Sequence, residues 1–236
     1  MGRLPAVSHR IMFILFRYKS LESEVPKMKE KMMITISREF GSGGHEIGEK
    51  LSKRLQIPYY DQQIREEAKK NLNMSEYALA QNEESGRKSL LYTIANGMSL
   101  SMGDQYREDP VQKLFEEEKR IIREHAKEGS CIVIGRCADI ILKDYPNCIN
   151  FFIQAKMVKR IERIMERYQL LPAQAREMIV KTDKKRAAFY HQFGKGVWGD
   201  RMAYHLVVDS GEMGITATVD LLEYYVKKWN ESCMIY

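Results

Sequence analysis

Four short, mostly apolar runs set the architecture of this chain: Met32 to Ile36, Cys131 to Ile134, Asn150 to Ile153 and Leu206 to Val208. None shows the strict polar alternation of a strand with one wet face, and stretches of helical spacing separate them. Short apolar strands divided by helices are the pattern of a parallel sheet covered on both faces. The 236 residues, 44% of them hydrophobic, suffice for one full domain or two small ones with a buried core. The expected fold is α/β: a three-layer parallel sheet flanked by helices, with the strand-end loops opening at one edge.

Helix signals fill the intervals. Asp109 is an N-cap candidate, Pro110 takes the first helical position and Gln112 the third, as in a capping box. Val111, Leu114, Phe115, Ile121, Ile122 and Ala126 then share a face, and Gly129 ends the helix. Ile215, Val219, Leu222, Val226 and Trp229 mark an amphipathic helix near the C-terminus, whose Tyr224 and Tyr225 read as packing. Residues 61–108 are polar and helix-like without a strand signal, an excursion of the kind that covers ligands. Ile11 to Phe16 is apolar and follows Arg3, His9 and Arg10, but six residues fall short of a signal-peptide core of ~7–15 or a membrane span of ~20. We expect residues 1–31 to be an extension outside the domain, with Met28, Met32 or Met33 beginning the functional chain, and 32–233 to be the domain.

The chain carries 38 Lys and Arg against 32 Asp and Glu, a formal charge of +6 that suits a phosphate-bearing partner. Charge alone does not choose among a nucleotide, a nucleic acid and an anionic membrane. Cys131, Cys137, Cys148 and Cys233 form no C-x-x-C pair and no zinc-spaced cluster with histidine. This points to a reduced, cytoplasmic protein.

The residues that carry chemistry begin where the first strand runs into Gly41, Ser42, Gly43 and Gly44 and a helix starts at once. Glycines let successive N–H groups converge, and a helix N-terminus adds positive dipole, so the segment can cradle phosphate; it can also be a tight turn without a ligand. It departs from the G-x-x-x-x-G-K-[ST] loop. Gly44 stands where the lysine belongs and Arg38 at the first glycine. Arg38 is the nearest cation in sequence, and we expect its guanidinium to take over the charge role of the absent lysine. Arg136 follows the second strand directly, either as an anion ligand at the sheet edge or as an ion pair with Asp139. Lys156, Arg160, Arg163 and Arg167 stack on one helix face, and Asp183 and Arg186 share another, with a solvated face and a local ion pair as the plainer readings.

In this order the pieces resemble the nucleoside monophosphate kinases, and within them the cytidylate kinase-like family, from about Met33 to Trp229. The run Ser37 to Gly48 is the most specific marker. The resemblance implies a P-loop sheet core with a helical NMP-binding insert at 61–108 and a helical lid at 156–196. It implies that Gly41, Ser42, Gly43, Gly44, His45 and Glu46 bind ATP phosphates. By the same resemblance Asp61, Arg136 and Asp183 face the acceptor nucleotide, and Arg160 and Arg163 border the lid. Asp183 and Arg186 match the end of the R-D-x-x-D-x-x-R signature; Ile179 and Val180 stand where its first Arg-Asp would be, and Cys137 where an acid would follow Arg136.

Phosphoryl transfer needs in-line positioning, Mg²⁺ and positive charge around the moving group. We expect Arg38, Arg160, Arg163 and Arg186 to supply that charge, in an ATP-dependent kinase acting on a nucleoside monophosphate of the CMP type or a similar small acceptor. Two other readings fit the same residues: a catalytically weak nucleotide-binding regulator on the same fold, and a nucleic-acid-binding protein using the basic helices. The basic residues form no continuous stripe with interleaved aromatics, so neither a nucleic-acid nor a membrane partner is expected.

Overall fold

The structure, a computed structural model, describes residues 31–74 and 110–232. In chain order it comprises β1 (Met33–Arg38), α1 (Gly44–Leu55), β2 (Tyr59–Tyr60), α2 (Gln62–Asn71), α3 (Pro110–Glu128), β3 (Cys131–Ile134) and α4 (Ala138–Ile141). These are followed by β4 (Cys148–Gln154), α5 (Met157–Tyr168), α6 (Pro172–Phe189), β5 (Leu206–Asp209) and α7 (Ser210–Ser232). The strands form one parallel sheet in the order β2-β3-β1-β4-β5. β1 lies at its centre, with Met33 in register with Cys131 on one side and Cys148 on the other.

Strand residues alternate between two cores, as the pleat requires. Met33, Cys131 and Val133 face the core closed by α2, α3 and α4. Ile34, Ile36, Ile132 and Ile134 face the core closed by α1 and α7. Ile47, Leu51 and Leu55 of α1 are buried there, each worth ~1.5–3 kcal/mol relative to exposure. A third, smaller cluster joins Ile164 of α5 to Ala175 and Ile179 of α6, with Phe40 of the loop packed against it. Ile179 therefore serves as core in the helical pair, where the family signature has a charged residue.

The apolar runs all became strands, and α3 starts at Pro110 and ends at Glu128, one residue before Gly129. Two departures have simple causes. β2 is only two residues long and half-buried, too short to show a period. α7 begins at Ser210, ahead of the expected periodic stretch, and breaks at Gly214, whose φ of 78° is left-handed. Of the excursion at 61–108, residues 61–74 with α2 are described; residues 75–108, the extension before Lys31, Asp109 and Cys233 lie outside the described residues. The 156–196 region is helical, ending in a π turn at Tyr190–Gly194.

Candidate active site

β1 delivers the loop Glu39 to Gly43 to the carboxyl edge of the sheet. Ser42 is buried and donates through both Oγ and N to the Glu39 carbonyl, at 2.9 and 3.3 Å, which curls the loop back on itself. Gly43 has a φ of 82° and precedes the first turn of α1. No side chain caps that helix, so its leading N–H groups remain available to an anion. The side chain of Arg163, from α5, lies directly over this turn. A Cβ on Gly43 would stand 1.8 Å from Arg163 Nη1 and 2.4 Å from Ile215 Cδ1. Arg163 Nη1 is buried without a hydrogen-bond partner among the described residues. A buried cationic donor beside uncapped helix N–H groups makes a site of positive potential suited to an anion.

Arg38 lies elsewhere than expected. Its guanidinium turns away from the loop, toward Gly135 and Asp61. Nη2 lies 3.4 Å from Asp61 Oδ1, and a Cβ on Gly135 would come within 2.1 Å of Nη1. The pleat sets Arg38 on the face of Ile34 and Ile36, so its stem packs beside Gly44 at the start of α1 and its long side chain carries the guanidinium on to the ends of β2 and β3. Of the two arginines, Arg163 is the one over the loop.

The far side of the site collects at the ends of β2 and β3. Asp61, 6% exposed, meets Arg38 through one oxygen and His45 Nδ1 through the other at 2.8 Å. The Tyr59 hydroxyl oxygen lies 2.7 Å from the same His45 nitrogen. After β3 the chain runs through three consecutive left-handed residues, Gly135, Arg136 and Cys137, with φ of 67°, 57° and 54°. Two of these are not glycine, and strain of this kind persists where the surroundings over-determine it. Arg136 Nη1 then lies 3.5 Å from Oε1 of Glu118, a residue 1% exposed on α3. Burial pushes the Glu118 carboxyl up, and the charges of Arg136, Arg65 and Lys69 pull it back. Asp139 is not Arg136's partner: it is buried and accepts a 2.6 Å bond from the Tyr190 hydroxyl.

Arg186 closes this side from α6, donating to the Arg38 carbonyl at 2.9 Å with its guanidinium 5.5 Å from the centre of the Phe40 ring. Burial, then the charge of Arg38, pushes Arg186 down to about 9, with Asp183 and Asp61 opposing. Burial also lowers Arg38, opposed by Asp61 and reinforced by Arg136. Three guanidinium groups thus converge tightly enough to repel one another, with Asp61 and Glu118 as partial counter-charges.

Arg160 and Asp183 are committed to each other and to the loop backbone. Arg160, 4% exposed, donates Nε to the Phe40 carbonyl at 2.8 Å, pairs with Glu39 at 3.1 Å, and hydrogen-bonds Asp183. Asp183 also accepts from the Phe40 N–H at 2.8 Å, and Glu39 from the Ala155 N–H at 3.0 Å. The clamp fixes α5 and α6 onto the loop and leaves Arg163, one turn along, over Gly43. Glu46 is exposed and paired with Lys50 at 2.7 Å. Among the described residues no group of three or more His, Cys, Asp or Glu could hold a metal ion.

Sequence reading missed Glu118, Glu39 and Tyr59. Glu118 had a signal: it falls between Leu114, Phe115, Ile121 and Ile122 on the buried face of α3, where a carboxylate demands a partner. Glu39 and Tyr59 have no local signature, because their partners lie on other elements.

No helix among the described residues is long and apolar enough to cross a membrane. No curated protein sequence matches the chain. Among solved structures, an uncharacterized protein from Eubacterium ventriosum ATCC 27560 is 25% identical with a TM-score of 0.63, covering 83% of this chain and 98% of that one. A shikimate kinase from Bacteroides thetaiotaomicron is 14% identical (TM-score 0.47; 83% and 98% covered). A gluconokinase from Sinorhizobium meliloti 1021 is 12% identical (TM-score 0.47; 86% and 96% covered). The model of the cytidylate kinase-like family matches residues 33–212, which include the whole site, and the chain belongs to that family.

Proposed function

We propose that this protein transfers the terminal phosphoryl group of ATP, supplied with Mg²⁺, to a small acceptor that carries an anionic group. The observation that carries this reading is the Nη1 of Arg163 over Gly43, buried and without a hydrogen-bond partner among the described residues. In this role Gly41 to Gly44 and the first turn of α1, with His45 and Glu46, receive the ATP phosphates through backbone N–H groups. Arg163 supplies the charge that the loop lacks for want of a lysine. A pre-aimed donor in a dry site stabilises charge developing on the transferred group without reorganising. Mg²⁺ neutralises phosphate charge when bound with the nucleotide. Arg160 and Asp183 keep the loop and the helical pair in one frame.

On the acceptor side Arg38, Arg136 and Arg186, with Asp61, hold an anion at the sheet edge, where ligands of open parallel sheets bind. The acceptors to try are a nucleoside monophosphate of the CMP type, from the family resemblance, and small alcohols that carry a carboxylate or phosphate. The test is a coupled ADP-release assay with ATP, Mg²⁺ and a panel of nucleoside monophosphates and small anionic alcohols. We expect acceptor-dependent ADP release that Arg136→Ala reduces while ATP affinity stays nearly intact. ATP binding with no turnover on any acceptor would replace this reading with that of a nucleotide-binding regulator.

A further inference from the structure

His45 and Asp61 form an acid–base pair at the seam between the phosphate loop and the arginine cluster. A neutral imidazole has one N–H and one lone pair, and a carboxylate only accepts. The 2.8 Å contact therefore puts the proton on His45 Nδ1, donated to Asp61 Oδ2. The Tyr59 oxygen, 2.7 Å away, is a second acceptor for that hydrogen, while its own hydrogen goes to the His45 carbonyl at 3.4 Å. Nε2 then carries the lone pair and has no hydrogen-bond partner among the described residues, on a side chain 46% exposed. Asp61 is buried and held from its other side by Arg38, so it fixes the ring's tautomer and orientation. A nitrogen base oriented by a buried carboxylate, with its free face open, is the arrangement that takes a proton from a nucleophile.

We infer that His45 Nε2 is the general base of the reaction and that the acceptor's reacting group is a hydroxyl. The inference rests on the kinase reading above and narrows it. A phosphomonoester already presents an oxyanion near neutral pH, its second pKa being about 6, and requires no base. A hydroxyl remains a poor nucleophile until its proton leaves. In the step, the acceptor O–H proton passes to Nε2 as the acceptor oxygen bonds the terminal phosphorus. The bond from that phosphorus to the bridging oxygen breaks, and its electron pair departs with ADP. Asp61 stabilises the imidazolium, which returns its proton to solvent through the exposed face. Arg38, Arg136 and Arg186 hold a carboxylate or phosphate ester elsewhere on the same alcohol, which makes the acceptor class a small hydroxylated anion.

The test measures ADP release from MgATP by the full chain with three acceptors: water alone, anionic alcohols (gluconate, glycerol 3-phosphate) and nucleoside monophosphates. It compares wild type, His45→Gln and His45→Ala, with and without added imidazole. Water is included because it too must lose a proton, so the base is tested even if neither alcohol is the natural acceptor. We expect alcohols to outpace monophosphates, and both variants to lose about 10²–10⁴-fold in kcat with ATP affinity within twofold. Imidazole should restore part of the rate to His45→Ala and none to His45→Gln, which keeps the site filled. Monophosphates as the fastest acceptors, unchanged kcat in the variants, or no imidazole rescue would each overturn the inference and leave the kinase reading standing. Wild-type protein that binds ATP and releases no ADP with any acceptor, water included, would overturn both.

Discussion

Replacing Gly43 by alanine tests the loop at its tightest point. Gly43 has a φ of 82°, and the added methyl would stand 1.8 Å from Arg163 Nη1 and 2.4 Å from Ile215 Cδ1. Two separable effects follow. The left-handed backbone costs an alanine ~1–2 kcal/mol, which for a domain of this size lowers Tm by roughly 2–8 °C. The guanidinium must also leave the cradle, removing one charged hydrogen bond to phosphate worth ~1.5–3 kcal/mol, or roughly ten- to hundredfold in ATP affinity. Calorimetric titration with MgATP reads the second effect and a melting curve the first. Gly129→Ala is the matched control, because nothing lies within 4 Å of its added methyl. If the methyl acts by evicting Arg163, Gly43→Ala and Arg163→Ala combined should weaken ATP little more than either alone. Undiminished ATP affinity in Gly43→Ala, or full additivity in the double variant, would refute the placement of Arg163 on the phosphates.

Arg38→Ala and Gly135→Ala should both raise the acceptor KM with ATP affinity nearly unchanged, since a Cβ at Gly135 would come 2.1 Å from Arg38 Nη1; loss of ATP binding instead would return Arg38 to the loop. Asp183→Ala strips Arg160 of one partner and the Phe40 N–H of its acceptor; we expect a loss of ~1.5–3 kcal/mol, visible as a lower Tm, with no acceptor-specific change in KM. Burial raises the Asp139 carboxyl, only partly offset by the Tyr190 hydroxyl, so the fold favours its neutral form. Its contribution is full below the unfolded value of about 3.9 and is lost as pH rises through the higher folded value. Asp139→Asn keeps an acceptor for Tyr190, and should be more stable than wild type at pH 8, with the difference vanishing toward pH 4; parallel stability–pH curves would exclude this.

Features that are local in their physics were legible in the residues alone. An apolar run such as Cys131 to Ile134, bounded by a glycine stop and a turn, can satisfy its burial only inside a two-faced sheet. Gly129 follows the end of α3 through backbone chemistry alone. The glycines of the loop after β1 declared a backbone that must turn left-handed before a helix N-terminus. What these patterns do not encode is direction across distance. Arg38 and Arg163 are both cations within reach of one loop by sequence reasoning, yet the Arg38 guanidinium finds Asp61 at the end of β2, while the clamp of Arg160 on Phe40 brings Arg163 over Gly43. Asp183 and Glu118 likewise acquired their partners only when α6 met the loop and α3 met the turn after β3. Helical and strand periods say which face a residue occupies on its own element. Only the packing of one element on another decides which charges end within a few ångströms, and at that range Coulomb interaction and desolvation assign each side chain its role.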